Sequence, residues 1–243
     1  MNKITQDSSM MLKRNKNVTR KMFDNIAKRY DFLNHTLSFG MDYYWRRKAV
    51  KCLTNNPKTI LDVATGTADF AICASKLKDV KITGIDISEG MISVGKEKVK
   101  RKRLDDIIEL QIADSEKIPF TENSFDAITA GFGVRNFENL EKGLSEMHRV
   151  LRKNGMVVIL EPSKPKSFPL KQIYNIYFHH ILPLFGKLVS KDNSAYTYLP
   201  NSVEAFPRGK NFIRHLENVG FTYCKNITLT LGIVDLYIAI KEK

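Results

Sequence analysis

Residues 59–69 read TILDVATGTAD. A short apolar run, Thr59–Ala64, breaks into a turn of small residues around Gly66, and helical periodicity resumes behind it. An open parallel sheet binds its ligand beyond the carboxyl ends of its strands, in the turn that follows the first strand. That turn holds one glycine, so it is not the Gly-x-Gly-x-x-Gly of a dinucleotide site. No Gly-Lys-Ser/Thr phosphate loop is present either. Small side chains still let a ligand approach the backbone closely. Such a turn suits the amino-acid end of S-adenosylmethionine, with Asp62, Gly66 and Thr67 as the expected contacts.

Outward from this stretch, apolar runs recur at Lys81–Asp86, Ile107–Ala113, Phe125–Ala130 and Met156–Glu161. Helical segments separate them. In Glu138–Leu151, for example, Leu140, Leu144, Met147 and Leu151 share one face. Strands alternating with helices predict a mostly parallel sheet covered on both faces. A helix over about 209–219 follows, then two strands, 221–231 and 233–241, joined at Gly232. The predicted fold is α/β and Rossmann-like, of the class I methyltransferase type: seven strands, mostly parallel, closed by a C-terminal antiparallel hairpin. One domain is expected over 1–243. A helical cap covers about 15–52, with Met22, Phe23, Ile26, Tyr30 and Leu33 on one stripe. An aromatic-rich lid is inserted at about 162–207.

Two more strand ends carry acceptors. Asp86 suits a pair of ribose hydroxyls and favours a cationic cofactor over a polyphosphate. Asp114 and Ser115 suit an adenine amino group. Each of these aspartates also suits a helix cap, Asp86 before Ile87-Ser88 above all. Their order at three strand ends is what points to S-adenosylmethionine.

The chain has 243 residues, with 39 Lys+Arg against 26 Asp+Glu, a formal charge of +13 that favours an anionic partner. Residues 1–51 hold 12 basic and 4 acidic residues, and KEKVKRKR (96–103) reads as a solvated helix face. Three scattered cysteines make no disulfide framework or zinc site, and the N-terminus has no signal-like apolar core, so an intracellular, cytoplasmic protein is expected. No stretch reaches the ~18 apolar residues of a membrane span. His179-His180 point about 100° apart on a helix with no acidic partner one turn away, so no metal is predicted.

Three segments resemble the ubiquinone/menaquinone biosynthesis C-methyltransferases. They are Tyr30-Asp31-Phe-Leu-Asn34-His-Thr-Leu-Ser38-Phe-Gly40 with Trp45-Arg46; Phe132-Gly133-Val-Arg135-Asn136; and Arg149 through Glu161-Pro-Ser163-Lys-Pro165. The similarity runs from about residue 19 to the C-terminus. The chain departs from it in a glycine-poor first turn, in Asn154 where proline is common, and in Pro162 for phenylalanine. The resemblance implies methyl transfer to a ring carbon of a polyprenylated quinol. Demethylmenaquinol is favoured, because Thr230-Leu-Gly-Ile233 looks more like the menaquinone branch, with a benzoquinol as the alternative. A neutral quinol is a weak nucleophile. At a phenol pKa of about 10, ionisation at pH 7 costs about 4 kcal/mol. Arg135 is the first candidate to stabilise the oxyanion, Asp31 the second, as general base, and Glu161 the third. Tyr30, Tyr177 and Phe178 are the expected substrate contacts, within an apolar set (Phe168, Tyr174, Ile181, Leu184, Phe185) suited to the tail. Because the tail partitions into membrane, Lys13, Arg14, Lys16, Arg20 and Lys21 are expected at an anionic surface. A nucleic-acid methyltransferase is disfavoured: Gly-Phe-Gly-Val-Arg stands where an Asn/Asp-Pro-Pro-Tyr/Phe cluster is needed. The sequence leaves the oligomeric state open.

Overall fold

The computed structural model describes residues 15–177 and 194–242. Five strands run parallel: β1 (Thr59–Val63), β2 (Lys81–Asp86), β3 (Ile108–Ile112), β4 (Phe125–Gly131) and β5 (Leu151–Pro162). With β6 (Thr222–Leu229) and β7 (Val234–Ile240) the sheet has the order β3-β2-β1-β4-β5-β7-β6. β7 lies antiparallel between β5 and β6, which is the expected hairpin. The chain leaves β1 toward β2 on one side and later returns to β4 on the other. The crevice at that reversal is where an open α/β sheet binds its ligand.

The central strands are buried on both faces, so they read as unbroken apolar runs. One core holds Trp45, Ala49, Ile60, Ala71, Ile82, Val158 and Leu236; the other holds Leu61, Ile85, Ile128, Leu144, Met147, Ile159, Phe212 and Tyr237. The helices are α1 (Lys16–Leu37), α2 (Met41–Val50), α3 (Asp69–Ala74), α4 (Glu89–Arg101), α5 (Leu140–Val150), α6 (Leu170–Ile176), α7 (Ser194–Ala205) and α8 (Lys210–Asn218). Asn15 caps α1 by accepting from the amides of Asn17 and Val18. Ile26 and Ala27 of α1 pack on Met91 of α4, joined by Phe23, Tyr30 and Val94. Phe39 and Gly40, both left-handed, make the tight turn into α2. Trp45 of α2 donates its indole N–H to Thr230 Oγ1 (2.7 Å), which ties the helix pair to the end of β6.

Two boundaries differ from expectation. Leu151 opens β5 rather than closing α5, because its backbone turns extended right after Val150. The last two strands meet through a 3₁₀ turn, Thr230–Gly232, with Leu231 left-handed, instead of a simple bend at Gly232. Among the described residues no helix is long and apolar enough to cross a membrane.

Candidate active site

The turn after β1 is wound tightly. Ala64, Gly66 and Ala68 are all left-handed, a conformation that costs alanine roughly 1–2 kcal/mol. Close packing holds it there. A Cβ on Gly133 would meet the Ala64 Cβ at 2.4 Å, and one on Gly95 would meet Leu110 at 2.8 Å. Gly66 faces open space instead, with Tyr30 Cε1 at 3.9 Å the nearest atom to a built Cβ.

A cleft opens at this turn. Of the expected residues, Tyr30, Gly66, Asp86, Asp114 and Ser115 line it. Asp86 accepts from the Gly66 amide through Oδ2 and from the Ser88 amide through Oδ1, both at 2.9 Å. Burial raises its pKa, against the pull of those amides. Asp114 accepts from Lys16 Nζ (2.7 Å) and from the Glu116 amide (2.9 Å). Burial alone would raise its carboxyl, but these bonds outweigh it and hold it below its ordinary value. Each oxygen of both carboxylates therefore keeps acceptor capacity for a ligand.

Other expected residues sit elsewhere. Asp62 does not line the cleft. It lies fully buried beneath the turn, accepting from Thr65 Oγ1 (2.5 Å) and Thr129 Oγ1 (2.7 Å). Thr67 is also turned inward, donating to Asp31 Oδ1 and accepting from Lys98 Nζ. Asp31, expected as a general base, is ion-paired to Lys98 at 2.5 Å and lies off the cleft wall. Tyr177 donates to the Leu37 carbonyl (2.7 Å), linking α6 to the end of α1, and does not line the cleft. Phe178, Ile181, Leu184 and Phe185 lie outside the described residues, as do His179, His180, Lys13 and Arg14. Tyr174 is buried and Phe168 exposed.

Arg135 sits behind the cleft, in a 3₁₀ turn (Val134–Asn136) whose neighbours Phe132, Gly133 and Asn136 do line it. Its backbone amide and its Nη1 both donate to Glu161, at 3.2 and 3.1 Å; Nη1 also bonds the Phe132 carbonyl, and Nε faces Ser202 of α7 at 3.4 Å. Glu161 is fully buried; burial raises its carboxyl while Arg135 pulls it down. Burial also raises the Tyr30 phenol, and the positive charges of Arg135 and Arg46 oppose that.

Sequence reading missed Lys16 and Lys98. Lys16 was expected at a membrane surface, but its ammonium bridges Asp114 and Glu116 on the cleft wall, and the Asp114 bond raises its pKa. Lys98 lies within the stretch read as a solvated face, yet it is only 7% exposed and bonds Asp31, Asp69 (2.7 Å) and Thr67. The network continues from Asp69 to Arg46 (3.6 Å), and from Arg46 to Asp42, which accepts from Ser38 and faces His35. Asp31, His35 and Asp69 offer atoms within 4.8 Å of one another, but Lys98 and Arg46 already supply the positive charge there.

Asp62 gives a pH signature. Burial raises its pKa to about 6, against hydrogen bonds from Thr129 and Thr65. A raised folded-state pKa means stability that is present below about pH 4 and lost as pH rises through about 6. The stability difference between the wild type and Asp62→Asn should therefore shift by roughly 1 kcal/mol against the wild type from pH 5 to pH 7. Urea midpoints at the two pH values check this.

The strand order, hairpin and cleft define a class I S-adenosylmethionine-dependent methyltransferase fold. Solved structures agree. A possible histamine N-methyltransferase from Thermotoga maritima matches at TM-score 0.64 and 20% identity, over 91% of this chain and 99% of that one. A putative S-adenosylmethionine-dependent methyltransferase from Methanococcus maripaludis matches at 0.66 and 19%, over 90% and 94%. The [4+2]-cyclase SpnF also matches, at 0.66 and 13% over 92% and 94%, so the fold alone does not fix the reaction. Sequence relationship is more specific. The chain belongs to the ubiE/COQ5 methyltransferase family, whose model matches residues 10–241. A demethylmenaquinone methyltransferase of Bacteroides fragilis is 52% identical over 223 residues, 91% of each chain. One of Chlorobaculum tepidum is 43% identical over 239 residues, 96% of each. A ubiquinone/menaquinone biosynthesis C-methyltransferase of Geotalea daltonii is 49% identical over 221 residues, 90% of this chain and 94% of that one.

Proposed function

We propose that this chain methylates a ring carbon of demethylmenaquinol, with S-adenosylmethionine as donor. Its kinship with demethylmenaquinone methyltransferases along nearly the whole chain supports this reaction. The observation that carries the donor is the charge of the cleft. Among the described residues, Asp86, Asp114, Glu116 and Glu138 line it against the single cation Lys16, in a chain of net charge +13. Four carboxylates suit a cationic sulfonium and repel a polyphosphate.

In this reading Asp86 receives the two ribose hydroxyls, Asp114 and Ser115 the adenine edge, and the open backbone at Gly66 the amino-acid end. When bound, S-adenosylmethionine supplies an electrophilic methyl: its carbon–sulfur bond breaks, a carbon–carbon bond forms, a neutral thioether is left, and the displaced ring proton passes to water. The chain's part is to favour the quinol's anion. Arg135, pinned by Glu161 and the Phe132 carbonyl, holds a fixed positive charge behind the cleft, and Tyr30 presents its ring from α1. Residues 15–52 act as cap and 162–207 as lid of one domain, and the polyprenyl tail brings the chain to an anionic membrane.

The test is to incubate the purified chain with the donor and a short-tailed demethylnaphthoquinol. The expected product carries one extra methyl on the ring carbon. Bound donor with no methylated quinol, or methyl found on an RNA control, defeats the reading. Asp86→Ala should weaken donor binding by about 10–100-fold in calorimetry, since it removes charge-assisted hydrogen bonds of about 1.5–3 kcal/mol.

A further inference from the structure

From Asn15 to Lys51 the chain sorts its charge by face. All three acids point inward: Asp24 accepts from Ser88 Oγ (2.6 Å) and the Gly90 amide, Asp31 pairs with Lys98, and Asp42 is buried against Arg46. Every exposed side chain there that is charged at neutral pH is a cation: Arg20, Lys21, Lys28 and Arg29 on α1, and Arg47, Lys48 and Lys51 on and just after α2. Solvation alone does not demand this sorting, since an acid on an outer face is as well hydrated as a lysine.

The same faces expose aromatics. Phe32 is 62% exposed, Phe39 82%, and Tyr43 and Tyr44 49% each. On α1, Lys21, Lys28 and Phe32 fall on one stripe, opposite the stripe of Thr19, Phe23 and Tyr30 that lines the cleft. On α2, Tyr43, Tyr44, Arg47 and Lys48 form the outer face, while Trp45, Arg46 and Ala49 face the protein. The His35 ring stacks on Tyr43 at 4.5 Å, joining the end of α1 to the α2 face.

We propose that this outer face of α1 and α2 docks on an anionic lipid bilayer. Tyrosine rings, with one polar end, favour the headgroup level, exposed phenylalanines favour the boundary with the acyl chains, and cations beside them favour anionic headgroups. The inference rests on the quinol reading, in which the substrate's tail resides in the bilayer and the cleft lies on the other face of α1. A nucleic acid would meet the same cations, but the four carboxylates lining the cleft repel a strand that reaches toward the methyl donor.

The test uses the full chain in flotation with vesicles of phosphatidylcholine alone or mixed with phosphatidylglycerol. Binding should favour the mixed vesicles by about tenfold or more at low salt and weaken as salt rises. The triple change Arg47→Glu, Lys48→Glu and Lys51→Glu should lose about tenfold or more of that binding, and Phe32→Ser with Phe39→Ser a comparable share. Both variants should keep wild-type turnover on a short-tailed, water-dispersed quinol, which shows that they fold. Equal wild-type binding to neutral vesicles overturns the proposal, as does undiminished binding by the charge-reversed variant. So does tighter binding of single-stranded RNA than of mixed vesicles, lost in the same variants. A wild type that floats as expected but fails to methylate the short-tailed quinol sinks the quinol reading and leaves the docking result intact.

Discussion

Arg135→Ala should lose about 3–5 kcal/mol of stability, because it strands the fully buried Glu161 carboxylate without its partner. The loss should depend on pH. Burial already raises the Glu161 pKa, and removing Arg135 takes away the strongest opposing charge. A carboxyl raised in the folded state contributes stability that is full below its unfolded value of about 4.3 and disappears as pH rises. Urea midpoints should therefore show a smaller deficit at pH 5 than at pH 8. Glu161→Gln in the Arg135→Ala background should recover part of it. A deficit independent of pH would mean that Glu161 is not the group left unpaired.

The same variant separates scaffolding from catalysis. If Arg135 favours the quinol's anion, turnover per folded molecule should fall by about tenfold or more, with donor affinity nearly unchanged. The measurement belongs well below the variant's melting temperature. Arg135→Lys keeps the charge and loses the planar guanidinium, whose Nη1 bonds Glu161 and the Phe132 carbonyl while Nε faces Ser202, so it should retain more stability than turnover. Unchanged turnover per folded molecule in the alanine variant would reduce Arg135 to a buried structural ion.

What the sequence made legible, and what it hid, follows from the range of each interaction. Strands buried on both faces write themselves as continuous apolar runs, so β1 through β5 were readable. That Asp86, Asp114 and Ser115 would line the cleft was readable because a strand end fixes where the next side chain can point. Asp62 was misplaced by the same logic, since nothing local tells an aspartate under a turn from one facing a cleft. Its partner Thr129 is 67 residues away. Lys98 hid among like charges for the same reason, 67 residues from Asp31, and Lys16 hid 98 residues from Asp114. Asp31 showed its carboxylate in sequence and concealed its cation.

Lys98→Met should therefore be among the most damaging single changes outside the apolar cores, at about 3–5 kcal/mol. The ammonium is nearly inaccessible and holds three groups from three elements: Asp31 on α1, Thr67 in the turn after β1 and Asp69 at the start of α3. Without it, the partly buried carboxylates of Asp31 and Asp69 lose their shared cation, and Asp69 keeps Arg46 at 3.6 Å. Thr67 adjoins Gly66, so the damage should reach the methyl donor, weakening its binding by about tenfold as the turn and α1 loosen. Adding Asp31→Asn and Asp69→Asn removes the stranded charge and should recover more than half of the stability in urea denaturation. Donor affinity should recover less, since no cation then ties Thr67 to α4. A buried network is poorly screened, so the stability loss should change little with added salt, unlike that of a surface pair. A loss below about 1 kcal/mol, or one that salt abolishes, would show that water reaches Lys98 and that the solvated-face reading of residues 96–103 was right after all.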